Sequence, residues 1–453
     1  MRTRLQHRLT QLRVSFWFLP GLMVVGAILL AALALGLDRT LAGADLPWVY
    51  TGGADGARSL LSTIAGSMVT VAGVGFSITI VALVLASTQF GPRLLTLFLR
   101  DRVSQVTLGT FVATFTYCVL VLRTIRGPDE AGGAFVPQVA MTIAVGITIV
   151  SVGVLVYFFH HVAVTIQAPT LVATVAHDLD RAIDRLVHSD IGMAGPAPTV
   201  DLVPDPVRDG TVSASRDGYV QVVDDAALFG LAVRHGLTVR VLTRPGLFVV
   251  AANPILAVRP EAATADVGLR SSLRDAVIIG DVRTAEDDLE FSIRQLVEVA
   301  LRALSPAIND PFTAMAAVDW LGAALTRLAR HDWPPRHRYD ASGALRIVAE
   351  VPTFGGVTHT IFSRIRHYGG SSPVVLNRLL EAVAAFGPHV SDPGDREIVR
   401  DETEAVLRIG RELIVSEADL RELEKRHRAA LAALGVAHAD GRIGADAGAG
   451  DHQ

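Results

Sequence analysis

The feature that most constrains this chain is an uncharged stretch in its first third. Residues 60–92, LLSTIAGSMVTVAGVGFSITIVALVLASTQFGP, contain no Asp, Glu, Lys or Arg. About twenty apolar residues are enough for a helix to cross the hydrocarbon of a bilayer, whereas a helix in a soluble core is rarely so long and uncharged. The sequence therefore predicts a membrane protein.

The first third of the chain holds four apolar segments of this kind. At 453 residues and 50% hydrophobic composition, the chain is too long for one ordinary domain and rich in apolar residues. We predict a four-helix transmembrane domain over residues 1–165, with spans at about 16–37, 60–89, 103–122 and 136–160. The expected fold class is an α-helical membrane part followed by a cytoplasmic α+β domain.

The arginines that flank the spans predict the orientation, because positive residues are retained in the cytoplasm. Two predicted inner segments carry most of them, namely Arg2, Arg4, Arg8 and Arg13 at the start and Arg93, Arg100 and Arg102 after the second span. The loop 38–59 has Arg39 and Arg58, and Arg123 and Arg126 fall on the predicted outer side. We expect a multi-pass protein of the bacterial cytoplasmic (inner) membrane with both termini in the cytoplasm.

The rest of the chain changes character several times. We predict a juxtamembrane helix and linker over 166–210, a small β-rich module over 211–270, a mainly helical domain over 271–435 and a disordered tail over 436–453. Short apolar runs separated by Asp-Gly, Pro-Gly and Asn-Pro pairs carry the strand prediction, with one helix over 225–235 ended by Gly236. Within the helical part, 394–433 reads as a single helix.

Several classes of chemistry are excluded by missing residues. Cys118 is the only cysteine and Lys425 the only lysine, and the sequence contains neither HExxH nor GxSxG. His160 and His161 adjoin the fourth span, but no second group of ligands accompanies them. We therefore predict no catalytic, cofactor-binding or metal-binding residues, and the net charge of −4 gives no indication of nucleic-acid binding.

One helical face of the second span is rich in hydroxyl groups. At 100° per residue, Thr63, Ser67, Thr70 and Ser77 fall within an arc of about 80°. Small and hydroxylated residues let membrane helices approach closely, which is the ordinary interpretation. The alternative is that the hydroxyl groups line a water-filled path through the membrane.

A second candidate cluster lies in the predicted soluble part. Arg283, Asp287, Asn309 and Asp310 belong to the run RTAEDDLEFSIRQLVEVALRALSPAINDPFTA. Thr284 with Asp287 predicts a capping-box start for one helix, and Asp310 with Pro311 predicts the N-cap and first position of the next. An enzyme hypothesis remains open, and it requires the four cluster residues to converge in one cleft.

Three runs of this sequence resemble a known family. They are STIAGSMVTVAGVGFSITIVALVLASTQFGPRLL, FLRDRVSQVTLGTFVATFTYCVLVLRT and the run that contains RALSPAINDPFTA. They are similar to bacterial predicted membrane proteins grouped as a domain of unknown function. The resemblance supports the membrane topology and implies no catalytic or ligand residues.

Two hypotheses for function follow from the sequence. The first is a homo-oligomeric, channel-like or transport-related assembly in which the second span lies near the symmetry axis and the cytoplasmic domain regulates it. The alternative is a membrane-anchored signalling or scaffold protein without transport or catalytic activity. The partners expected in both cases are the lipid bilayer and further copies of the chain, and no nucleic acid.

Overall fold

The computed structural model describes residues 17–40, 50, 52–91, 101–128, 134–187, 191–284 and 288–435. The chain divides into two compact units, Met1–Thr170 and Leu171–Gln453. The predicted tail over 436–453 and most of the basic segment after the second span lie outside the described residues.

The first unit consists of four long helices. They are α1 (Phe18–Thr40), α2 (Ala54–Phe90), α3 (Arg102–Leu122) and α4 (Gln138–Thr165). All four are long and apolar enough to cross a membrane, which confirms the predicted helical membrane part. At about 1.5 Å per residue, the 37 residues of α2 extend about 55 Å, more than the roughly 30 Å of hydrocarbon.

The central helix of this unit is α3, which packs against α1, α2 and α4. Half of its most apolar part is buried, compared with 17–22% for the other three helices. A helix that faces protein on most sides can carry polar side chains that lipid would penalise. Gln105, Thr107, Thr110 and Thr114 are accordingly buried within α3.

A buried carboxylate joins the end of α1 to the start of α4. Asp38 accepts hydrogen bonds from the backbone N–H groups of Val139 and Ala140, at 2.8 and 2.9 Å. The hydroxyl of Tyr117 on α3 donates to the carbonyl of Ala140 at 2.9 Å. Helix N-termini leave N–H groups unpaired and attract negative charge, so Asp38 supplies from another helix the cap that Pro137 cannot provide.

The second unit opens with α5 (Ala168–Val187, with Leu171 its first residue in this unit) and continues into two sheets. The strands are β1 (Met193–Ala194), β2 (Gly210–Ser213), β3 (Gly218–Val223), β4 (Thr238–Val241), β5 (Phe248–Val249), β6 (Pro254–Arg259), β7 (Val277–Gly280), β8 (His337–Tyr339) and β9 (Leu345–Val348). The six-stranded sheet has the order β1-β8-β9-β4-β6-β2, and the three-stranded sheet has the order β5-β3-β7. Only the β4–β9 pair is parallel among these strands.

The two short helices α6 (Asp225–His235) and α7 (Val267–Asp275) pack against these sheets. Their buried Leu228 and Leu273 join Val239 of β4 and Ile255 of β6 in one apolar core. Gly236 ends α6 with a φ of 64°, as the sequence predicts. The six-stranded sheet also includes β8 and β9, which lie in the chain beyond the 211–270 segment.

The remaining helices form a bundle. They are α8 (Leu289–Ala303), α9 (Pro311–Arg330), α10 (Phe354–Gly369), α11 (Pro373–Phe386), α12 (Pro393–Leu413) and α13 (Glu417–Ala433). Together with the two sheets, they confirm the predicted α+β character of this unit.

Two predicted helix boundaries in the bundle are wrong. The N-cap of α8 is Asp288, whose side chain accepts from the N–H of Phe291, so the helix does not begin at a Thr284 capping box. The predicted single helix over 394–433 is two helices, because the chain turns at residues 414–416 and Ser416 caps α13. Asp310 caps α9 as predicted, with Pro311 in the first position.

Replacement of Asp38 by alanine should destabilise the first unit, because two buried N–H groups of α4 would lose their acceptor. The expected cost is roughly 1–3 kcal/mol, seen as a lower midpoint of thermal denaturation of the full chain in a mild detergent. Asp55→Ala is the matched control, since Asp55 is fully exposed in the first turn of α2. Equal losses in the two variants would contradict the capping role.

Candidate functional site

The four predicted hydroxyl residues of α2 lie on its exposed side. Thr63, Ser67, Thr70 and Ser77 are all exposed in the described first unit. The opposite side of α2 carries the buried residues Leu61, Ile64 and Met68, and this side packs into the core that includes α3. Within one copy of the chain, the hydroxyl face is therefore not the face that packs.

Each of these hydroxyl groups is satisfied within its own helix. Thr63, Ser67, Thr70 and Ser77 donate to the carbonyl four residues earlier, at 2.8, 2.8, 3.0 and 2.9 Å. Polar groups left unpaired in lipid are costly, and these bonds remove that cost. The exposed face can accordingly meet lipid or another helix without further hydrogen bonds.

A longer pattern runs along the same side of α2. The residues Ser59, Thr63, Gly66, Thr70, Gly73 and Ser77 are all exposed and follow one another at alternating spacings of four and three. We name these six residues the small-residue seam. A Cβ built on Gly66 or Gly73 would have no atom within 4 Å, so the seam is open in the single chain. The alternation of four and three is the spacing that keeps a seam facing a partner helix along a left-handed crossing.

A cleft lies inside the first unit, on another side of α2. It contains about 260 Å³ of empty space, part of it open to the surroundings, and residues of α2, α3 and α4 line it. Phe76, Phe111 and Phe158 give it a mainly apolar wall. Thr107 also faces it, and its hydroxyl is buried without a hydrogen-bond partner in the described part of the chain.

Besides the bond from Tyr117 to Ala140, two further polar contacts connect α3 with α4. The hydroxyl groups of Thr114 and Ser151 are buried and lie 3.0 Å apart. Asp101, the N-cap of α3, accepts from the N–H of Ser104 at 3.0 Å and lies 3.0 Å from Nε2 of His161. His161 is thus paired with a capping carboxylate. Among the described residues, no group of three or more His, Cys, Asp and Glu side chains is placed to hold a metal ion.

Arg283 of the second candidate cluster forms a buried ion pair with Asp288. Its Nε lies 2.9 Å from Oδ2 of Asp288, and its guanidinium lies over the ring of Phe291 at 5.6 Å from the centroid. A side chain at Gly246, which has a φ of 87°, would collide with both members of the pair. The pair therefore holds the turn before β5 against the start of α8.

Burial raises the pKa of the Asp288 carboxyl, and the hydrogen bond and charge of Arg283 oppose that rise. Its side chain is only 3% exposed, so the carboxylate depends on Arg283 and on the N–H of Phe291 to remain ionised. The sequence pattern missed Asp288. The signal that identifies it is its position immediately before the apolar periodicity of α8 begins.

The turn between α8 and α9 contains Asn309 and Asp310. Asn309 is exposed and has a φ of 49°, a conformation that Asn adopts more readily than most residues. Asp310 accepts from the N–H of Thr313 at 3.1 Å, and its own N–H donates to the carbonyl of Ala303 at 2.8 Å. Both residues have a structural role in this turn.

The cluster residues do not converge. Asp310 is bonded to the last residue of α8, whereas Arg283 is bonded to the residue that caps its first turn. The 15 residues of α8 separate the two places by about 22 Å. Arg283 and Asn309 with Asp310 thus form no common cleft, which the enzyme hypothesis requires, and Asp287 lies outside the described residues.

Comparison with known proteins finds one matching family and several uncharacterized relatives. A family model described as "Predicted membrane protein (DUF2254)" matches residues 13–385. An uncharacterized protein of Mycobacterium bovis, Mb1321c, is 35% identical over 381 residues, which cover 82% of this chain and 71% of the relative. An uncharacterized protein of Mycobacterium tuberculosis, MT1328, is 36% identical over 383 residues with the same coverage. No solved structure matches the chain.

Replacement of Arg283 by alanine should make stability depend on pH. Without Arg283, the pKa of the Asp288 carboxyl rises further above the unfolded value of about 3.9. A carboxyl whose folded pKa is raised retains stability below the unfolded pKa and loses it as pH rises through the folded pKa. Relative to the unmodified chain, the thermal denaturation midpoint of the variant should therefore be lower at about pH 8 than at about pH 5.

The control for this measurement is Arg216→Ala, which removes a more exposed ion pair with Asp281 of 3.3 Å. Arg216 also donates to the carbonyl of Ile279 at 2.6 Å. Exposed pairs contribute about 0–1 kcal/mol, so any loss of stability in this variant should be small and the same at both pH values. A pH-independent loss in Arg283→Ala would show that the variant loses packing rather than a counter-charge.

Proposed function

Since the chain belongs to the DUF2254 family of predicted membrane proteins, we propose that it forms a homo-oligomer whose copies meet through α2, and that this assembly is channel-like or transport-related. The observation that carries the proposal is the small-residue seam, which is exposed in the single chain and opposite the side that packs. A seam of Ser, Thr and Gly lets two helix backbones approach closely. Van der Waals contact between closely packed helices is one of the main forces that hold helices together in lipid.

The alternative for an exposed helix face in a membrane is contact with lipid alone. Lipid contact favours large apolar side chains, such as the exposed Val69, Ile80 and Val84 on the neighbouring part of α2. The glycines of the seam have no such use, because a Cβ added at Gly66 or Gly73 would have no atom of the same copy within 4 Å. Small residues at these positions are consistent with a partner helix.

Around a symmetry axis, the same residues support a transport hypothesis. Each copy would contribute hydroxyl groups at the levels of Thr63, Ser67, Thr70 and Ser77. Residues 60–92 contain no Asp, Glu, Lys, Arg or His. A proton relay or a charged substrate site along this face is therefore not part of the proposal. Hydroxyl groups replace part of the hydration of a small solute or ion.

We further propose that the protein lies in the bacterial cytoplasmic membrane with both ends in the cytoplasm, where the second unit regulates the assembly. The support is the number of spans and the arginine-rich segments at 2–13 and 93–102. The competing hypothesis is a membrane-anchored signalling or scaffold protein that oligomerises without transporting anything.

The orientation is tested with single cysteines in a Cys118→Ala background, since Cys118 is the only native cysteine. Val207→Cys in the second unit should react with a membrane-impermeant maleimide in inside-out vesicles but not in intact cells. Asp55→Cys, at the start of α2, should show the reverse. Both residues are exposed. The same sidedness for both would contradict the proposed topology.

The assembly is tested by oxidative cross-linking of Thr70→Cys in native membranes. We expect a covalent dimer, because residue 70 would lie beside its counterpart in a second copy. Val69→Cys is the matched control at the same depth, exposed but turned by about 100° around the helix. Gly66→Leu in the Thr70→Cys chain should abolish the cross-link, and cross-linking of Val69→Cys to the same extent would exclude the seam.

Transport is tested with the same variants reconstituted in liposomes. The unmodified chain should release small ions or neutral solutes, and Gly66→Leu should reduce the release at least several-fold. If Thr70→Cys cross-links but no release occurs over a range of pH, voltage and osmotic stress, the scaffold hypothesis replaces the channel hypothesis.

A further inference from the structure

The helical bundle of the second unit has large apolar side chains exposed at one end. They are Ile308, Phe312, Tyr368, Val374, Leu413 and Val415, with Phe312 and Val415 exposed by 78% and 97%. We name these six residues the apolar end. Within the described residues of the bundle helices and the turns that join them, Ile398 is the one other large apolar side chain with comparable exposure.

Contacts between helix ends show that these residues belong to one end of the bundle. A Cβ built on Gly369, the last residue of α10, would lie 3.1 Å from Leu304, which caps the end of α8. A Cβ on the next residue, Gly370, would lie 3.0 Å from Leu413, the last residue of α12. The turns after α8, α10 and α12 therefore lie side by side.

The second unit also begins at this end. His177 of α5 contacts Trp320 of α9, and Asp184 of α5 pairs with Arg327 of α9, so the two helices run parallel with a constant offset. Leu171, the first residue of α5 in this unit, is accordingly about level with Ala314 in the first turn of α9, which also contains Phe312. In the chain, α5 starts three residues after Thr165, the end of the last membrane span.

Two exposed arginines lie one to two turns from this end. Arg364 is one turn before Tyr368 on the same side of α10, and Arg408 precedes Leu413 by five residues on α12, about 140° around the helix. The exposed Glu412 and Glu417 also lie at this end. Neither arginine has an ion-pair partner among the described residues. Exposed apolar groups backed by free guanidinium groups are typical of surfaces that enter the headgroup region of an anionic bilayer.

We infer that the apolar end docks on the lipid surface of the membrane in which the chain is anchored. The apolar side chains would enter the headgroup region, and Arg364 and Arg408 would meet lipid phosphates. The six side chains of the apolar end are then placed in surroundings that suit apolar groups. The chain itself favours the lipid surface over a second copy as the occupant, because the second unit begins at this end with Leu171, six residues after Thr165 ends the last membrane span.

This inference gives the turn RALSPAINDPFTA a role beyond helix capping. Its exposed Ile308 and Phe312 flank Asn309 and Asp310, whose backbone conformation and hydrogen bonds fix the direction of the turn. The polar residues of the turn would hold the two apolar side chains outward, so that they reach lipid.

The test uses the full chain in lipid nanodiscs that contain anionic phospholipid, with Cys118 replaced by alanine. A fluorophore on Phe312→Cys or Val415→Cys should be quenched by headgroup-labelled nitroxide lipid at least threefold more strongly than one on Val207→Cys. Arg364→Glu combined with Arg408→Glu should reduce the quenching at residue 312 at least twofold. Arg234→Glu, an exposed arginine at the end of α6, is the matched charge control and should have no effect.

Equal, weak quenching at residues 312, 415 and 207 would overturn the inference. So would a short distance between spin labels on residue 312 of two copies without lipid quenching, since a second copy would then cover the apolar end. Because neither readout depends on α2 or on solute release, failure here is distinguishable from failure of the proposed transport function.

Discussion

Lipid offers no hydrogen bonds, and the first unit is arranged around this constraint. Hydroxyl groups on α2 bond to their own helix, Thr114 and Ser151 lie within bonding distance of each other, and Asp38 is paired with the start of α4. Most of the buried polar side chains of the described first unit are on α3. The position of α3 at the centre follows from the same constraint.

The constraint gives exposed apolar residues different meanings in the two units. In α1, α2 and α4, an exposed Leu or Val needs no explanation, because its surroundings are lipid tails, and small residues are the unusual feature. In the second unit, water favours polar surfaces, so a group of exposed apolar side chains such as the apolar end is unusual. Both proposals therefore start from residues that do not match the solvent expected around them.

Sequence periodicity and composition were sufficient for the helical membrane part, for the α+β character of the second unit and for the Asp310 cap. They were insufficient where long-range contacts decide. The central position of α3 depends on contacts with three other helices and cannot be predicted from its own apolarity. Asp38 bonds to Val139 and Ala140, about a hundred residues later in the chain. Residues 414–416 break a helical pattern that is locally uninterrupted, and β8 is too short to stand out without β9 beside it. For the site residues, periodicity identified the hydroxyl face of α2, but only burial shows which way it points.

The Asp38 cap also has a consequence for the order of assembly. The carboxylate leaves the ribosome with α1, whereas the N–H groups that it satisfies belong to the helix made last in the first unit. Until α4 is in place, the carboxylate of Asp38 lacks these two donors. A carboxylate without partners is costly in hydrocarbon, so this end of α1 favours contact with water. Insertion of α4 thus supplies the hydrogen-bond donors that α1 lacks. A truncated or misinserted intermediate would keep the carboxylate of Asp38 without these donors.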